Sequence, residues 1–193
     1  MGKLVRKVLV ALGLRRARAK LLIIGLDNSG KSTLAALVTD AAAASGDSSP
    51  RDVQPTVGYS IDDVNVSRGL RLTVVDMSGQ SVYHDLWETY YGDVQGVAFV
   101  VDAADPRRFP EVGAALAKMA KHADLQRTPL LLFSNKMDLA MAPPAHEVAK
   151  SVGLDDLGRH WVRPWRLQGC SALTGEGVQD GLKWLTQNVK KKA

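Results

Sequence analysis

Cysteine is almost missing. Among 193 residues only Cys170 carries a thiol, so an internal disulfide is impossible and the chain suits a reducing compartment. Long apolar runs are missing too. None approaches the ~18 residues that a spanning helix needs, and Leu21-Leu22-Ile23-Ile24 has the length of a strand. No internal repeat occurs, and low complexity is confined to Ala41–Ala44. His84, His122, His146 and His160 share no spacing and have no cysteine or carboxylate partners at ligand distance in sequence, which speaks against a zinc site. What remains is an apolar fraction of 46% and a charged fraction of 23%, the make-up of one globular domain able to hold its own core.

Acid is missing from one stretch in particular. Residues 1–20 carry seven Lys/Arg and no Asp or Glu, while the rest of the chain holds 18 basic against 20 acidic residues. The net charge of +5 therefore reports an N-terminal arm and not a basic domain. A nucleic-acid binder spreads its basic stripe over the fold, so no nucleic-acid partner is expected. Lys190-Lys191-Lys192 reads as a solvated end.

On a helix at about 100° per residue, Leu4, Val5, Val8, Leu9 and Leu12 fall within an arc of about 140°. Lys3, Arg6 and Lys7 lie opposite, and Gly13 stops the helix before Arg15 and Arg16 would turn onto the apolar face. Such an amphipathic helix over residues 1–16 can pack on the domain or lie in an anionic membrane surface. It is too short and interrupted for a secretory signal. Gly2 invites myristoylation, but the acceptor pattern wants Ser or Thr where this chain has Arg6.

Beyond the arm, residues 17–193 alternate strands with helices. Strands are expected at Lys20–Ile24, Tyr59–Val66, Leu70–Val75, Val97–Val101, Leu130–Phe133 and near 162–168. Helices are expected at Lys31–Ala44 and roughly 82–91, 110–122, 144–152 and 178–189. Ser67-Arg68-Gly69 reads as a hairpin turn, and Ser45–Pro55 as a polar loop. The pattern predicts one α/β domain with a mostly parallel six-stranded sheet and helices on both faces. Trp161, Trp165 and Trp184 read as packing residues and Cys170 as a small buried one.

Two motifs carry chemistry. Gly25-Leu26-Asp27-Asn28-Ser29-Gly30-Lys31-Ser32 fits G-x-x-x-x-G-K-[ST] between a strand and a helix, the setting of a phosphate-binding loop. Backbone N–H groups wrap phosphates there, the helix N-terminus adds its dipole, and Lys31 reaches the β- and γ-phosphates. Ser32 would set its hydroxyl on Mg²⁺. The loop alone does not choose between ATP and GTP.

Asn135-Lys136-Met137-Asp138 makes that choice. It follows a buried strand at the carboxyl end, where open α/β sheets bind ligands. The Asp138 carboxylate can accept from the N1–H and N2 amino group of guanine together. Adenine offers neither donor there and would leave the acid unpaired, at a cost that discriminates strongly. Asn135 would tie the base-binding loops together, and the Lys136 stem would cover the ring.

These motifs, with Pro55-Thr56-Val57-Gly58, Asp76-Met77-Ser78-Gly79-Gln80 and Ser171-Ala172-Leu173, stand in the order of the small GTPases. Leu86-Trp87-Glu88-Thr89-Tyr90-Tyr91 and the basic amphipathic arm sharpen the likeness. Over roughly residues 3–189 the chain resembles the Arf and Arf-like family. D-M-S-G-Q and N-K-M-D-L are most similar to the branch whose GTP form recruits the BBSome, the Bardet–Biedl coat complex of cilia.

The resemblance implies a small-GTPase fold and a slow GTPase that cycles between GTP and GDP with Mg²⁺ as cofactor. It implies phosphate binding by Asp27, Asn28, Ser29, Gly30, Lys31, Ser32, Thr33, Thr56 and Gly79. Guanine would be held by Asn135, Lys136, Asp138, Ser171, Ala172 and Leu173, with the Ala172 N–H facing O6. Ser32 and Thr56 would ligate Mg²⁺, Asp76 would hold it through water, and Gln80 would orient the attacking water. Implied partners are an exchange factor, an activating protein, an effector coat resembling the BBSome, and a membrane surface met by the arm. The implied state is a monomer, cytoplasmic and reversibly membrane-bound, at the ciliary base or membrane. Two departures stand out: Ser78 replaces the family's usual Gly, and Val75 replaces an aromatic, which reduces the aromatic cluster that reads out GTP to Tyr59 and Tyr90. Arg51 is the sole basic residue between 45 and 55, and no internal arginine finger is recognisable. The competing readings are a nucleotide-locked binding module and a phosphate-loop kinase or ATPase, the latter disfavoured by Asp138.

Overall fold

The computed structural model describes residues 17–43, 58–67, 70–79, 84–156 and 162–189. The expected arm helix, the loop with Thr56, the turn residues 68–69, Gln80, His160 and Trp161 lie outside them.

Eleven principal elements follow in order: β1 (Ala17–Ile24), α1 (Lys31–Ala43), β2 (Tyr59–Ser67), β3 (Leu70–Met77), α2 (His84–Tyr91), β4 (Gly96–Asp102), α3 (Phe109–Ala120), β5 (Leu130–Asn135), α4 (Ala145–Ser151), β6 (Trp165–Gly169) and α5 (Val178–Asn188). The six strands form one sheet in the order β2-β3-β1-β4-β5-β6. Only the β2–β3 pair is antiparallel. This is the mixed α/β, mostly parallel architecture that the alternation predicts.

Side-chain alternation on the central strands divides the core in two. Leu22, Ile24, Val75, Met77, Val97, Phe99, Val101, Leu130 and Leu132 face α2, α3 and α4 through Trp87, Tyr91, Val112, Leu116, Met119 and Val148. The intervening Leu21, Ile23, Val74, Ala98, Val100, Leu131 and Phe133 face α1 and α5 through Leu34, Val38, Val178 and Leu185. Strands covered on both faces must be apolar at every position, hence the unbroken runs of β4 and β5.

Several strand ends differ from the sequence expectation because pairing, and not hydrophobicity, sets them. β1 starts at Ala17, three residues early, since Ala17, Arg18 and Ala19 pair with Leu70, Arg71 and Leu72. β3 runs on to Met77 because Asp76 and Met77 pair with Ser60 and Tyr59. α3 begins at Phe109 with Pro110 in its first turn, where a missing N–H costs no helix hydrogen bond. Trp165 corrects its reading as a packing residue: it opens the edge strand β6 and is 38% exposed. Trp184 does pack, half-buried against the α1/α5 side of the core.

The sheet order reverses direction at β1. From β1 the chain goes to β2 and β3 on one side and then to β4, β5 and β6 on the other, so the crevice beyond the β1 carboxyl end is a topological switch point.

Candidate functional site

The loop leaving β1 turns sharply inside packed surroundings. Gly25 has φ +146°, and a Cβ there would stand 2.2 Å from the Val100 carbonyl oxygen. Asn28 takes the left-handed φ of 60°, a conformation that Asn tolerates better than most residues. Gly30, at φ +90°, has no room for a Cβ either: it would meet the Asn135 amide nitrogen at 2.3 Å. From Lys31 onward the chain is helical, and the Gly30 carbonyl accepts from Leu34 N–H at 3.0 Å. The loop therefore ends on a helix N-terminus, with Ser32 and Thr33 half-buried in the first turn of α1.

Lys31 is only 6% exposed and donates from Nζ to the Leu26 carbonyl at 2.8 Å. Burial pulls its pKa down to about 8, and the carboxylates of Asp76 and Asp27 oppose that fall. Asp76, near the end of β3, is 2% exposed. A buried carboxylate, a buried ammonium and the α1 hydroxyl of Ser32 thus meet below one helix N-terminus. Hard oxygen donors of this kind suit Mg²⁺, which takes few protein ligands and fills its shell with water and phosphate oxygens. Among the described residues no group of three or more His, Cys, Asp or Glu could hold a metal.

The segment after β3 closes over the loop. Gly79 accepts from Asp27 N–H at 3.0 Å, and a Cβ on Gly79 would lie 2.2 Å from that nitrogen and 2.5 Å from Lys31 Nζ. Ser78 is buried; its N–H donates to the Gly58 carbonyl at 2.9 Å, and its carbonyl accepts from Trp87 Nε1 at 3.1 Å. So the segment is pinned to both β2 and α2. Tyr59 and Tyr90, the residual aromatic pair, meet at 5.6 Å between ring centroids.

On the other side of the crevice, Asn135 joins three loops. Its Nδ2 donates to the Ser29 carbonyl at 2.8 Å, and its Oδ1 accepts from Ala172 N–H at 2.8 Å. The Ala172 bond joins the base-side loops as expected, and the Ser29 bond adds a link to the glycine-bearing loop. Met137 N–H donates to the Cys170 carbonyl at 3.1 Å, and Ser171 N–H to the Glu176 carbonyl at 3.0 Å. The Ser171 hydroxyl accepts from Thr174 N–H, while Leu173 is 63% exposed beside it. Asp138 is exposed. Cys170 is buried, and burial, helped by the Asp138 charge, pushes its thiol up to about 12. It is therefore a thiol and not a reactive thiolate at neutral pH.

Two contacts have no signature in the sequence motifs. Lys136, at φ 65°, sets Nζ 2.6 Å from Asp102 Oδ2 at the end of β4. The other Asp102 oxygen accepts from Ala104 N–H at 2.9 Å, which fixes the carboxylate and with it the lysine stem. Arg108, from the turn after β4, reaches back to Asp27 in the glycine-bearing loop. Asp102 comes beside the N-K-x-D loop only through the pairing of β4 with β5. No local pattern singles out Arg108.

The structure thus brings together Asp27 to Thr33, Asp76, Gly79, Asn135 to Asp138 and Ser171 to Leu173 around one crevice at the carboxyl end of the sheet. Thr56 and Gln80 fall outside the described residues. The sequence model of the ADP-ribosylation factor family matches residues 5–189. The chain is 34% identical over 174 residues to ADP-ribosylation factor-like protein 3 of Caenorhabditis elegans, covering 89% of this chain and 88% of that one. Among solved structures it is similar to the Arl6 BBS3 small GTPase of Trypanosoma brucei with bound GppNp. That match has 33% identity and a TM-score of 0.77, and covers 88% of this chain and 96% of the other.

Proposed function

The chain belongs to the ADP-ribosylation factor family of small GTP hydrolases, and from that premise we propose that it is a membrane-recruiting switch whose GTP form gathers an effector coat. The observation that carries the nucleotide site is the Asn135 bridge, which couples the Ser29 loop to the Ala172 loop through one side chain. A phosphate loop and a base loop held by one amide suit one ligand with phosphate at one end and guanine at the other. Asp27 to Thr33 would cradle phosphate, with Thr56 and Gly79 closing on the γ-phosphate. Asp138 would read guanine, Ala172 N–H would face O6, and Lys136, Ser171 and Leu173 would line the base. Ser32, Thr56 and, through water, Asp76 would hold Mg²⁺, which supplies charge neutralisation at the phosphate bridge. Gln80 would orient the water that attacks.

Residues 1–16 form the membrane arm of this reading, and 17–193 the GTP-binding domain. In the GDP form the arm lies in a groove near the β2–β3 hairpin; GTP shifts the hairpin and ejects it. Lipid then takes Leu4, Val5, Val8, Leu9 and Leu12, because full burial of each is worth ~1.5–3 kcal/mol. Lys3, Arg6, Lys7, Arg15 and Arg16 add an attraction to anionic lipid that salt weakens. Liposome flotation should recover the GTP-loaded form, more on anionic vesicles, and leave the GDP-loaded form and a chain lacking residues 1–16 behind. Equal flotation of both nucleotide forms would sink the coupled-arm mechanism.

The proposed effector is the BBSome and the proposed place the ciliary base or membrane, supported by D-M-S-G-Q and by likeness to the Arl6 BBS3 structure. An exchange factor and an activating protein complete the cycle. A second reading, another Arf-like trafficking GTPase, draws on the 34% identity to the factor-like protein 3. Capture from a ciliated-cell extract separates the two. BBSome subunits should be retained by the GTP-loaded chain and not by the GDP-loaded chain; their absence from both favours the second reading.

A further inference from the structure

The phosphate loop of this chain contains an acid, Asp27; in the reading above a γ-phosphate would approach it, and carboxylate beside phosphate is repulsive. Asp27 is not left alone. Arg108 donates from Nη2 to Asp27 Oδ1 at 2.6 Å and from Nη1 to the Asp27 carbonyl at 3.0 Å. Its Nε donates to Glu111 at 3.2 Å, so the guanidinium fork is held in one orientation between helix α3 and the loop. Arg108 stands at the N-cap position of α3 but its side chain does not cap the helix, and the helix dipole disfavours a cation there. Its contacts with Asp27 in the loop and Glu111 in the first turn offset that cost.

Electrostatics agrees with the geometry. The Arg108 hydrogen bond, first among the causes, holds the Asp27 carboxyl below its usual range. Both residues are felt at Lys31: Asp27 stabilises its charged form and Arg108 opposes it. An unpaired Asp27 would therefore compete with phosphate for Lys31.

We propose that Arg108 is a positioning residue for GTP: it fixes and neutralises Asp27 so that Lys31 and the loop N–H groups are free for the γ-phosphate. The inference rests on the phosphate-loop reading above. Because GDP lacks the group that Asp27 would repel, the effect falls on GTP more than on GDP.

The test is the ratio of GTP to GDP affinity, measured with fluorescent analogues on the full chain in Mg²⁺ buffer, with melting of each GDP-loaded variant as a control. Arg108→Ala should lower the ratio by about tenfold, the size of one partly screened charge interaction. Arg108→Lys should lower it less, keeping the charge but losing the fork. Asp27→Asn in the Arg108→Ala background should restore it, since no carboxylate is left to neutralise. An Arg108→Ala chain that loses both nucleotides equally and melts lower, unrescued by Asp27→Asn, would make Arg108 a fold residue and overturn the inference. An unchanged ratio would overturn it as well. A wild-type chain that takes up neither nucleotide would overturn the phosphate-loop reading along with it.

Discussion

Asp138→Asn should abolish preference for guanine and create one for xanthine. The carboxylate would accept two hydrogen bonds, and bonds to a charged group contribute about 1.5–3 kcal/mol each. Losing one of them is therefore worth roughly 10–10²-fold in GTP affinity, and a donor left facing a donor adds to the loss. The variant's amide oxygen still accepts from N1–H, but its NH₂ faces the guanine amino group, donor against donor. Xanthine carries a carbonyl at C2, and that carbonyl accepts from the NH₂. Asp138 is exposed, while the Asn135 tie to Ser29 and Ala172 does not involve it. The fold should stay intact and the effect should be one of selectivity. Competition of GTP and xanthosine triphosphate against labelled nucleotide is the measurement; an unchanged GTP preference would remove Asp138 from the site.

Turnover should collapse in Gln80→Leu without loss of nucleotide. Gln80 follows Gly79, whose carbonyl accepts from Asp27 N–H in the phosphate loop. A residue that orients water acts in the transition state and leaves ground-state binding alone. An activating protein is worth about 10³–10⁵ in rate for such enzymes. The variant should lose most of that stimulation and stay near the unstimulated roughly 10⁻⁴–10⁻³ s⁻¹. Single-turnover hydrolysis with a cognate activator is the check. Equal stimulated rates in wild type and variant would assign the water to another residue.

Asn135 and Arg108 show where reading along the chain succeeds and where it stops. Asn135 is legible in part: a tie between the base-side loops is expected of it, and its bond with Ala172 at 2.8 Å is such a tie. Its bond to Ser29 in the glycine-bearing loop, also at 2.8 Å, is supplied by the tertiary structure. Arg108 follows Pro106 and Arg107 with no pattern to mark it, yet it reaches Asp27 in a loop that precedes it by 81 positions. The aromatic pair Tyr59 and Tyr90 was foreseeable only through resemblance; the 5.6 Å contact belongs to the packing of β2 against α2.

By itself the sequence determined the element types, the two-sided burial of β4 and β5, and the order of phosphate and base motifs, because each depends on local periodicity or on residues close in the chain. Tertiary structure alone decided where β1 and β3 end, that Trp165 stands at an exposed edge, and that Asp102 and Arg108 join the site. Strand ends are set by the partner strand's hydrogen bonds, and edge position by sheet order. Asp102 enters because β4 pairs in parallel with β5, which sets it opposite Asn135 and beside Lys136; Arg108 enters because β4 also lies beside β1, so the turn after β4 reaches the loop that leaves β1.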